Sequence, residues 1–353
     1  MAIDMFSTRT MLEAFKEGKL TTHTFLRDRY FSNRKTYNTA KIDVDVIGKG
    51  NRKMAPFVHP KIGGKVMDRE GYKTNSYEAP EVSPMRVTTA EDMLNRLPGE
   101  TIYNGKSPEA RAAEQLGEDL AYLDEKIARR EEWMCAEALF NGAITISGDG
   151  YNGEVISYWS AEAENKPFTE LATKWTAEEV TAKTIAKDLR DIKRKVTLGS
   201  GFVPTEILCG RKVIDAILDK LSDAAMLDNR RVVMGEINPS HLPNGVIYWG
   251  HLKDSALDIY SYEESYENDA GDTLPMVPED KILMAAPNAK TTLAYGVVSL
   301  LDEKADTMHF YEGARIPDSY ISRKNPSGRV VQIKSRPLPI VHQVQAFHVI
   351  KAC

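Results

Sequence analysis

Residues with the chemistry of a catalytic or metal site are few in this sequence, and they lie far apart. Cys135, Cys209 and Cys353 form no C-x-x-C pair. A catalytic cysteine would need a histidine that the fold brings next to it. His342 and His348 would share one face of a strand and could bind a metal ion, but no third ligand can be named. We therefore expect two packing histidines and three inert thiols in a reducing compartment.

A glycine-rich segment, residues 148–153, matches the G-x-G-x-x-G pattern of dinucleotide-binding proteins. That pattern needs a helix directly after the glycines, because the helix N-terminus binds the pyrophosphate. A strand-like run, 154–159, follows instead, so the segment predicts a hairpin turn between two strands. The chain has no P-loop, H-E-x-x-H or G-x-S-x-G pattern and no paired carboxylates at helical spacing. We expect no cofactor, no metal site and no enzymatic activity.

Charge is distributed unevenly along the chain. The formal net charge is −5, yet residues 49–73 carry +5, which leaves −10 for the rest. This basic segment could be a solvated loop, an arm that docks on acidic surface of a neighbour, or a nucleic-acid contact. Between Asp254 and Asp280 the chain has nine acidic residues and no Lys or Arg. Their spacing does not fit an EF-hand, so we interpret this run as a solvated loop, with a calcium site as the alternative.

The composition is that of a folded protein. Hydrophobic residues make up 42% and charged residues 27% of 353, which provides a core for two or three domains. Three cysteines exclude a disulfide scaffold, and a pI near 5.9 argues against a free nucleic-acid binder. The sequence shows neither a signal peptide nor a run of about 18 apolar residues that could span a membrane.

The elements that must position these residues begin with a helical arm, residues 1–35. A helix is predicted at 24–31, where the aromatic side chains of Phe25, Tyr30 and Phe31 must bury against the chain's own core or a neighbouring subunit. Period-2 alternation predicts a strand at 40–48. The next 40 residues show no core pattern apart from short strand-like pieces at 55–58 and 72–79. An extended hairpin that packs on another molecule would explain this.

The clearest element is a helix at 107–141. It begins with Ser107 as N-cap and Pro108 at the first helical position, carries one apolar stripe from Leu116 to Ala138, and stops at Gly142. We expect that stripe to pack on a sheet of its own domain rather than on a twin helix.

An α/β domain is predicted at 176–300. Its first helix would start from a capping box at Thr176 and end at Gly199, and a second helix would follow a strand at 206–209. The closing residues predict two more strands, 330–335 and 338–351. Other strands in this half are predicted at 245–249, 257–262, 281–286 and 292–298.

Several segments, taken in order and at their spacing, resemble the lambda-type major capsid proteins, the capsid protein E family of tailed phages. The resemblance covers nearly the whole chain and is weakest over about 145–275. The segments that carry it are 25–31, 55–66, 77–80, 92–100, 278–284, 294–296, 315–317 and 335–339.

The resemblance implies an α+β chain with the Hong Kong ninety-seven-type phage capsid fold. It further implies five parts: an N-terminal arm and first strand (1–48), an extended loop (49–90), a peripheral domain (91–175) with the spine helix 107–141, an axial domain (176–302), and return strands of the peripheral domain (303–353).

The function implied is assembly: pentamers and hexamers of this chain would form an icosahedral head around double-stranded DNA. Expected partners are the chain itself, a scaffolding protein, a portal, a decoration protein and weakly bound packaged DNA, with no membrane. Assembly in the host cytoplasm and a final place in the virion follow. The alternatives are a bacterial protein compartment of the same fold, a scaffold or tail component, and a soluble α/β enzyme. Candidate intersubunit contacts are Arg52, Lys53, Lys61, Lys65, Arg69, Lys73, Phe25, Tyr30 and Phe31.

Overall fold

The chain folds into two compact units, each built from three separate segments. Unit 1 comprises Met1–Ile42, Glu78–Cys135 and Thr292–Pro339, and unit 2 comprises Asp43–Tyr77, Ala136–Thr291 and Ile340–Cys353. The structure, a computed structural model, describes residues 11, 23–47, 54–61, 63–64, 66, 72–89, 91–92, 107–159, 166–221, 227–228, 240–242, 245–268, 270–302, 307–323 and 327–353.

Unit 1 is organised by a long helix that packs on a three-stranded sheet. The helix Pro108–Phe140 matches the predicted bounds to within one residue at each end and is roughly 50 Å long. Ser107 Oγ accepts a hydrogen bond from Ala110 N (3.2 Å) as its N-cap, and Gly142 follows it with φ +63°. The apolar stripe Leu116, Leu120, Leu123, Ile127 packs against Val331 and Ile333 of the sheet, which confirms the prediction that it would bury within its own domain.

The remaining elements of the described N-terminal half are short. They are helix α1 (Phe25–Tyr30), strands β1 (Arg34–Thr36), β2 (Lys41–Ile47), β3 (Tyr72–Glu78) and β4 (Met85–Thr88), and the long helix, named α2.

Unit 2 contains an eight-stranded mixed sheet covered by two amphipathic helices, α3 (Ala182–Ser200) and α4 (Arg211–Leu221). Their apolar faces meet the sheet in the largest described core cluster, which includes the fully buried Trp175 and Ile207. Seven strands follow one another across the sheet in the order β10, β11, β12, β8, β15, β22, β7, and β9 pairs with β11. Their bounds are β7 (Phe168–Glu170), β8 (Glu206–Cys209), β9 (Leu227–Asp228), β10 (Ser240–Leu242), β11 (Val246–Leu252), β12 (Leu257–Tyr262), β15 (Lys281–Ala285) and β22 (Phe347–Lys351).

Smaller sheets and hairpins complete the fold. The glycine-rich segment is a hairpin turn, as predicted, between the antiparallel strands β5 (Ala143–Gly148) and β6 (Tyr151–Ser157). Strand β4 pairs with β20 and β20 with β19 in the sheet under helix α2, and β1, β16 and β21 form a three-stranded sheet. The remaining bounds are β13 (Ser265–Glu267), β14 (Thr273–Pro275), β16 (Thr291–Tyr295), β17 (Val298–Asp302), β18 (Thr307–Tyr311), β19 (Ile316–Ser322), β20 (Gly328–Lys334) and β21 (Pro337–Val341).

The bounds of helix α3 and of the last strand differ from their sequence predictions. Helix α3 starts at Ala182, not at the capping box of Thr176, because Thr181 is the N-cap that accepts a hydrogen bond from Thr184 N; it ends at Gly201, which has φ +89°. The predicted strand 338–351 is interrupted by a 3₁₀ turn, Val344–Ala346, and its last part is β22 of the unit 2 sheet. Because β22 pairs with β15 and β7, the chain's end does not return with the other closing strands.

Gly210 provides a direct test of how tightly the unit 2 sheet and helix α4 are joined. A Cβ at this position would overlap the carbonyl oxygen of Pro278 and lie 2.7 Å from the backbone of Glu279. We expect Gly210→Ala to lower the free energy of unfolding by about 3 kcal/mol. Gly199→Ala in helix α3 is the matched control. Its Cβ would have no neighbour nearer than 3.9 Å, so it should be neutral or stabilising by about 0.5 kcal/mol. Urea denaturation of both variants checks the opposite signs, and equal effects would contradict the packing described.

Candidate intersubunit contact surfaces

The extended loop predicted at 49–90 takes in strands β3 and β4, so the loop itself is the connection that precedes β3. Strands β2 and β3 form a two-stranded sheet, and residues 48–71 connect them. Tyr77 in β3 secures the base of this loop, because its hydroxyl donates to Ser157 O (2.9 Å) and accepts from Asn75 Nδ2 (3.1 Å). Its ring lies 5.8 Å from that of Tyr158, and burial raises the pKa of its phenol. The loop therefore leaves unit 2 from a fixed base.

The described part of the loop exposes apolar side chains. Residues 54–59 form no strand, so the strand-like piece predicted at 55–58 was wrong. Met54 is 90% exposed, Val66 is 91% exposed, and Phe57 is fully exposed. Three large apolar side chains with almost no contact in their own chain are typical of a surface that another molecule covers. Sequence analysis singled out the basic residues of this loop and missed these three, although Phe57 stands in a segment that carries the family resemblance.

Two of the six basic candidates lie within the described residues. Lys61 is exposed in the loop, and Lys73 lies in β3. Arg52, Lys53, Lys65 and Arg69 lie outside the described residues.

The aromatic candidates are buried in their own chain. Phe25 is 7%, Tyr30 3% and Phe31 0% exposed, so the first of the two predicted alternatives, the chain's own core, holds for this conformation. They offer a neighbour no surface because helix α1 packs them inward.

A second exposed apolar face lies on the hairpin of strands β17 and β18. Leu301 and Met308 are paired across the hairpin and are 56% and 70% exposed, and Phe310 is 70% exposed. The opposite face is buried, since Val298 and Leu300 pack on Ile316. Period-2 alternation puts the exposed and the buried side chains of this hairpin on opposite faces. A strand that is apolar on both faces, however, is usually fully buried, so the sequence did not reveal this exposed surface.

Two adjacent glutamates of helix α2 hold the interior of unit 1 together. Glu132 accepts hydrogen bonds from the backbone N–H groups of Leu26 (2.8 Å) and Arg27 (2.9 Å) in the first turn of helix α1. Those N–H groups have no partner within the helix, and a carboxylate also complements the helix dipole there. Because Glu132 is fully buried, it fixes α1 at one position against α2.

Glu131, also fully buried, binds two arginines. Its carboxylate accepts from Arg27 Nη1 (3.0 Å) and from Arg315 Nη1 and Nη2 (2.6 and 2.9 Å), while Arg315 Nε donates to Asp124 Oδ1 (2.6 Å). Burial by itself would raise the pKa of Glu131, but the charges of Arg315 and Arg27 hold that pKa below its ordinary value. Burial likewise opposes the charge on Arg315, yet Glu131 keeps the pKa of that guanidinium above its ordinary value. Glu131 and its two arginines therefore stay ionised.

This ionic cluster, defined as Arg27, Asp124, Glu131, Glu132 and Arg315, joins helix α1, helix α2 and the turn before β19. It brings together two of the segments on which the family resemblance rests, 25–31 and 315–317. The sequence contained a signal for it, because Glu131 follows Ile127 by four residues and so occupies the apolar stripe of helix α2.

Three other resemblance segments meet at Gly296. A Cβ there would lie 3.3 Å from Ala79 Cβ, 3.4 Å from Arg336 Cβ and 3.4 Å from Thr39 O, so a side chain at residue 296 would crowd all three chain segments. Gly296 N donates to Arg336 O (2.9 Å), and Arg336 pairs with Glu81 at 3.0 Å. Segments 77–80, 294–296 and 335–339 are thus one packing unit.

The described residues do not gather a metal site. No three of their His, Cys, Asp or Glu side chains are grouped as a metal ion requires. His342 lies in the bend before the 3₁₀ turn, so it does not share a strand with His348. Cys135 and Cys209 are buried, and burial raises the pKa of both thiols, which makes them poor nucleophiles. Among the helices of the described ranges, none is long and apolar enough to cross a membrane.

His348 should make the stability of unit 2 depend on pH. Burial, and secondly the charge of Lys195, lower its pKa from 6.5 to about 4, and its Nε2 lies 2.8 Å from Thr169 Oγ1. The unfolded chain therefore takes up a proton below pH 6.5 that the folded chain does not, so this contribution to stability is complete above pH 6.5 and is lost toward pH 4. We expect His348→Gln to lose about 2 kcal/mol less than the parent between pH 6.5 and 4.5 in urea titrations. Equal losses in both proteins would contradict the buried neutral histidine.

Comparisons with known proteins agree with the geometry. The family model of phage major capsid protein E matches residues 7–352. The major capsid protein of Escherichia phage lambda is 23% identical over 356 residues, which cover 98% of each chain. That of Escherichia phage N15 is 24% identical over 345 residues, which cover 96% of this chain and 95% of its own. The crystal structure of a prophage capsid protein from Escherichia coli CFT073 superposes with a TM-score of 0.71 at 17% identity, covering both chains in full. The chain therefore has the Hong Kong ninety-seven-type capsid fold.

Proposed function

Since this chain belongs to the phage major capsid protein E family and is a major capsid protein of a phage head, we propose that its copies assemble through their extended loops into pentamers and hexamers. These pentamers and hexamers then form a closed icosahedral shell around double-stranded DNA. The observation that carries the proposal is the exposed apolar surface of the loop. Met54, Phe57 and Val66 have almost no contacts in their own chain and gain them only when another copy covers the loop.

Assembly combines an apolar and an electrostatic contribution. Burying the three loop side chains releases water from apolar surface and supplies affinity. The +5 charge of residues 49–73 steers the loop toward acidic surface of the next copy and fixes its orientation. Many such modest contacts act together in a closed shell, so the shell is far more stable than one interface.

The parts of the chain then have distinct roles. Helix α2 is the spine of a peripheral domain, residues 91–175, to which the return strands β19 and β20 contribute. Residues 176–302 are the axial domain, whose tips meet around each pentamer or hexamer. The ionic cluster keeps helix α1 and the Arg315 turn in one position on helix α2.

Further partners follow from the role of a head protein. A scaffolding protein would direct the curvature of the shell, a portal would occupy one vertex, and a decoration protein could cover exposed apolar surface on the outside. Packaged DNA would make only weak, non-specific contacts, because an interior rich in Lys and Arg would hinder packaging and release. Assembly would take place in the host cytoplasm. The family is one of structural proteins, and we assign no catalytic activity to this member.

Negative-stain microscopy of the purified protein tests the proposal. Rings of five or six copies, or closed shells, are the expected result. A species that remains monomeric at concentrations of tens of micromolar, with and without a co-expressed scaffolding protein, would contradict it. The content of shells isolated from cells separates a phage head, which encloses DNA, from a protein compartment, which encloses an enzyme.

A further inference from the structure

Helix α3 presents a basic stripe to solvent. Its 19 residues include six Lys and Arg and two Asp, a net charge of +4 in a chain of net −5. Lys183, Lys187, Arg190 and Arg194 follow one another at spacings of four, three and four, and all four are exposed. Leu198 continues the same stripe and is 63% exposed. The apolar face of the helix packs on the sheet, and Arg190 pairs with Asp254 at 3.4 Å. Lys183, Lys187 and Arg194 are therefore the cations of the stripe that remain for a partner.

The same unit carries a surface of the opposite charge on the hairpin of strands β13 and β14. Residues 263–275 hold five acidic side chains and no Lys or Arg. Glu263, Glu267 and Asp272 are exposed, and Leu274 is 39% exposed. Within the described part of the chain, Lys183, Lys187, Arg194, Glu263 and Glu267 have no ion pair of their own. The unpaired positive charges of helix α3 are therefore complementary to the unpaired negative charges of the hairpin.

A ring of identical subunits needs this kind of complementarity. In a ring each interface is head-to-tail, so every subunit must offer two different patches that match each other. We propose that the basic stripe of helix α3 binds the acidic β13–β14 hairpin of the next copy in the pentamer and hexamer, forming the seam between axial domains. The inference rests on the proposed function, since it names the partner surface within the rings.

Packaged DNA is the other anion that could bind the stripe. The second copy is favoured because the matching acidic surface lies in the same unit of the same chain, and because each patch adds one exposed leucine, Leu198 and Leu274, that a protein interface would bury. Phosphate contacts would use the cations but leave both leucines in water.

Charge exchange across the seam tests the proposal. Lys187→Glu with Arg194→Glu should lower the yield of rings by about tenfold or more, because acidic side chains then face acidic side chains. Adding Glu263→Lys with Glu267→Lys should restore the rings, and the second pair alone should be as defective as the first. The matched control is Arg211→Glu with Lys290→Glu, two exposed sites of the same unit outside the stripe, which change the net charge by the same amount. Ring yield is measured by sizing chromatography and microscopy, with circular dichroism to verify folding.

The other outcomes would overturn either the proposed seam or the proposed function. Normal rings from the Lys187→Glu, Arg194→Glu variant overturn the seam, and normal rings that retain less DNA than the parent assign the stripe to DNA instead. A defect that the hairpin substitutions do not repair also overturns it. A parent protein that forms neither rings nor shells contradicts the proposed function itself, whatever the variants do.

Discussion

Glu131→Gln should destabilise unit 1 by about 3 kcal/mol or more, a large part of the 5–15 kcal/mol that stabilises a typical domain. Gln keeps the shape of the side chain but removes the negative charge from a carboxylate that is 0% exposed and binds both Arg27 and Arg315. Two guanidinium groups would then be buried with too little negative charge beside them, and such unpaired buried charges are costly. The free energy of unfolding from urea titration of the unassembled chain measures the effect.

Glu125→Gln is the matched control, six residues earlier on the same helix. Glu125 also pairs with an arginine, Arg129 at 3.1 Å, but both side chains are about one third exposed (35% and 34%). An exposed pair at this spacing contributes about 0.5 kcal/mol or less, so the control should be nearly neutral. If both variants lost the same small amount, the ionic cluster would not be what holds helix α1 and the Arg315 turn to helix α2.

Phe57→Asp should strongly weaken shell formation and leave the isolated chain folded. The side chain is fully exposed, so its replacement removes no contact within the chain and should change the free energy of unfolding by less than about 0.5 kcal/mol. In the assembled state a buried phenylalanine contributes roughly 1.5–3 kcal/mol at each interface, and a buried aspartate adds a desolvation cost. Because 1.4 kcal/mol is a factor of ten, the concentration needed for assembly should rise at least about tenfold, as measured by light scattering.

Two companion variants separate the contributions to loop docking. Phe57→Leu retains an apolar side chain and should assemble nearly as the parent does. Lys65→Glu with Arg69→Glu reverses basic charge in the loop without touching its apolar residues. It should slow assembly most at low salt, where charge steering is strongest. Shells that form normally from Phe57→Asp would show that Phe57 contributes nothing to assembly, and the apolar face of strands β17 and β18 would then be the better candidate.

The elements themselves were largely predictable, because their signals are local. The stripe and end signals of helix α2 predicted its bounds to one residue, and strands β8 and β12 lie where the sequence placed them. The predicted start of helix α3 was wrong because Thr176 and Thr181 are both acceptable N-caps. The local sequence does not distinguish them, whereas in the structure Trp175 is fully buried and its indole N–H donates to Asp188, which favours a start at Thr181.

The candidate contact surfaces were less predictable, because exposure is a property of the whole fold. The sequence suggested Phe25, Tyr30 and Phe31 as contacts with a neighbouring subunit, yet helix α1 buries them in the chain's own core. Phe57 and Met308 look like core residues, yet they are exposed. An apolar residue has the same local signature whether its own chain or another one covers it.

By itself, the sequence determined the kinds of elements, the uneven charge and the family resemblance, all of which depend on residues near one another or on their order. Only the tertiary structure decided which residues meet: that Glu131 binds arginines 104 and 184 positions away, that β22 joins the unit 2 sheet, and that a basic helix and an acidic hairpin lie unpaired on one unit. The physical reason is that periodicity records which face of an element is apolar, whereas partners are selected by packing and charge between segments that are distant along the chain.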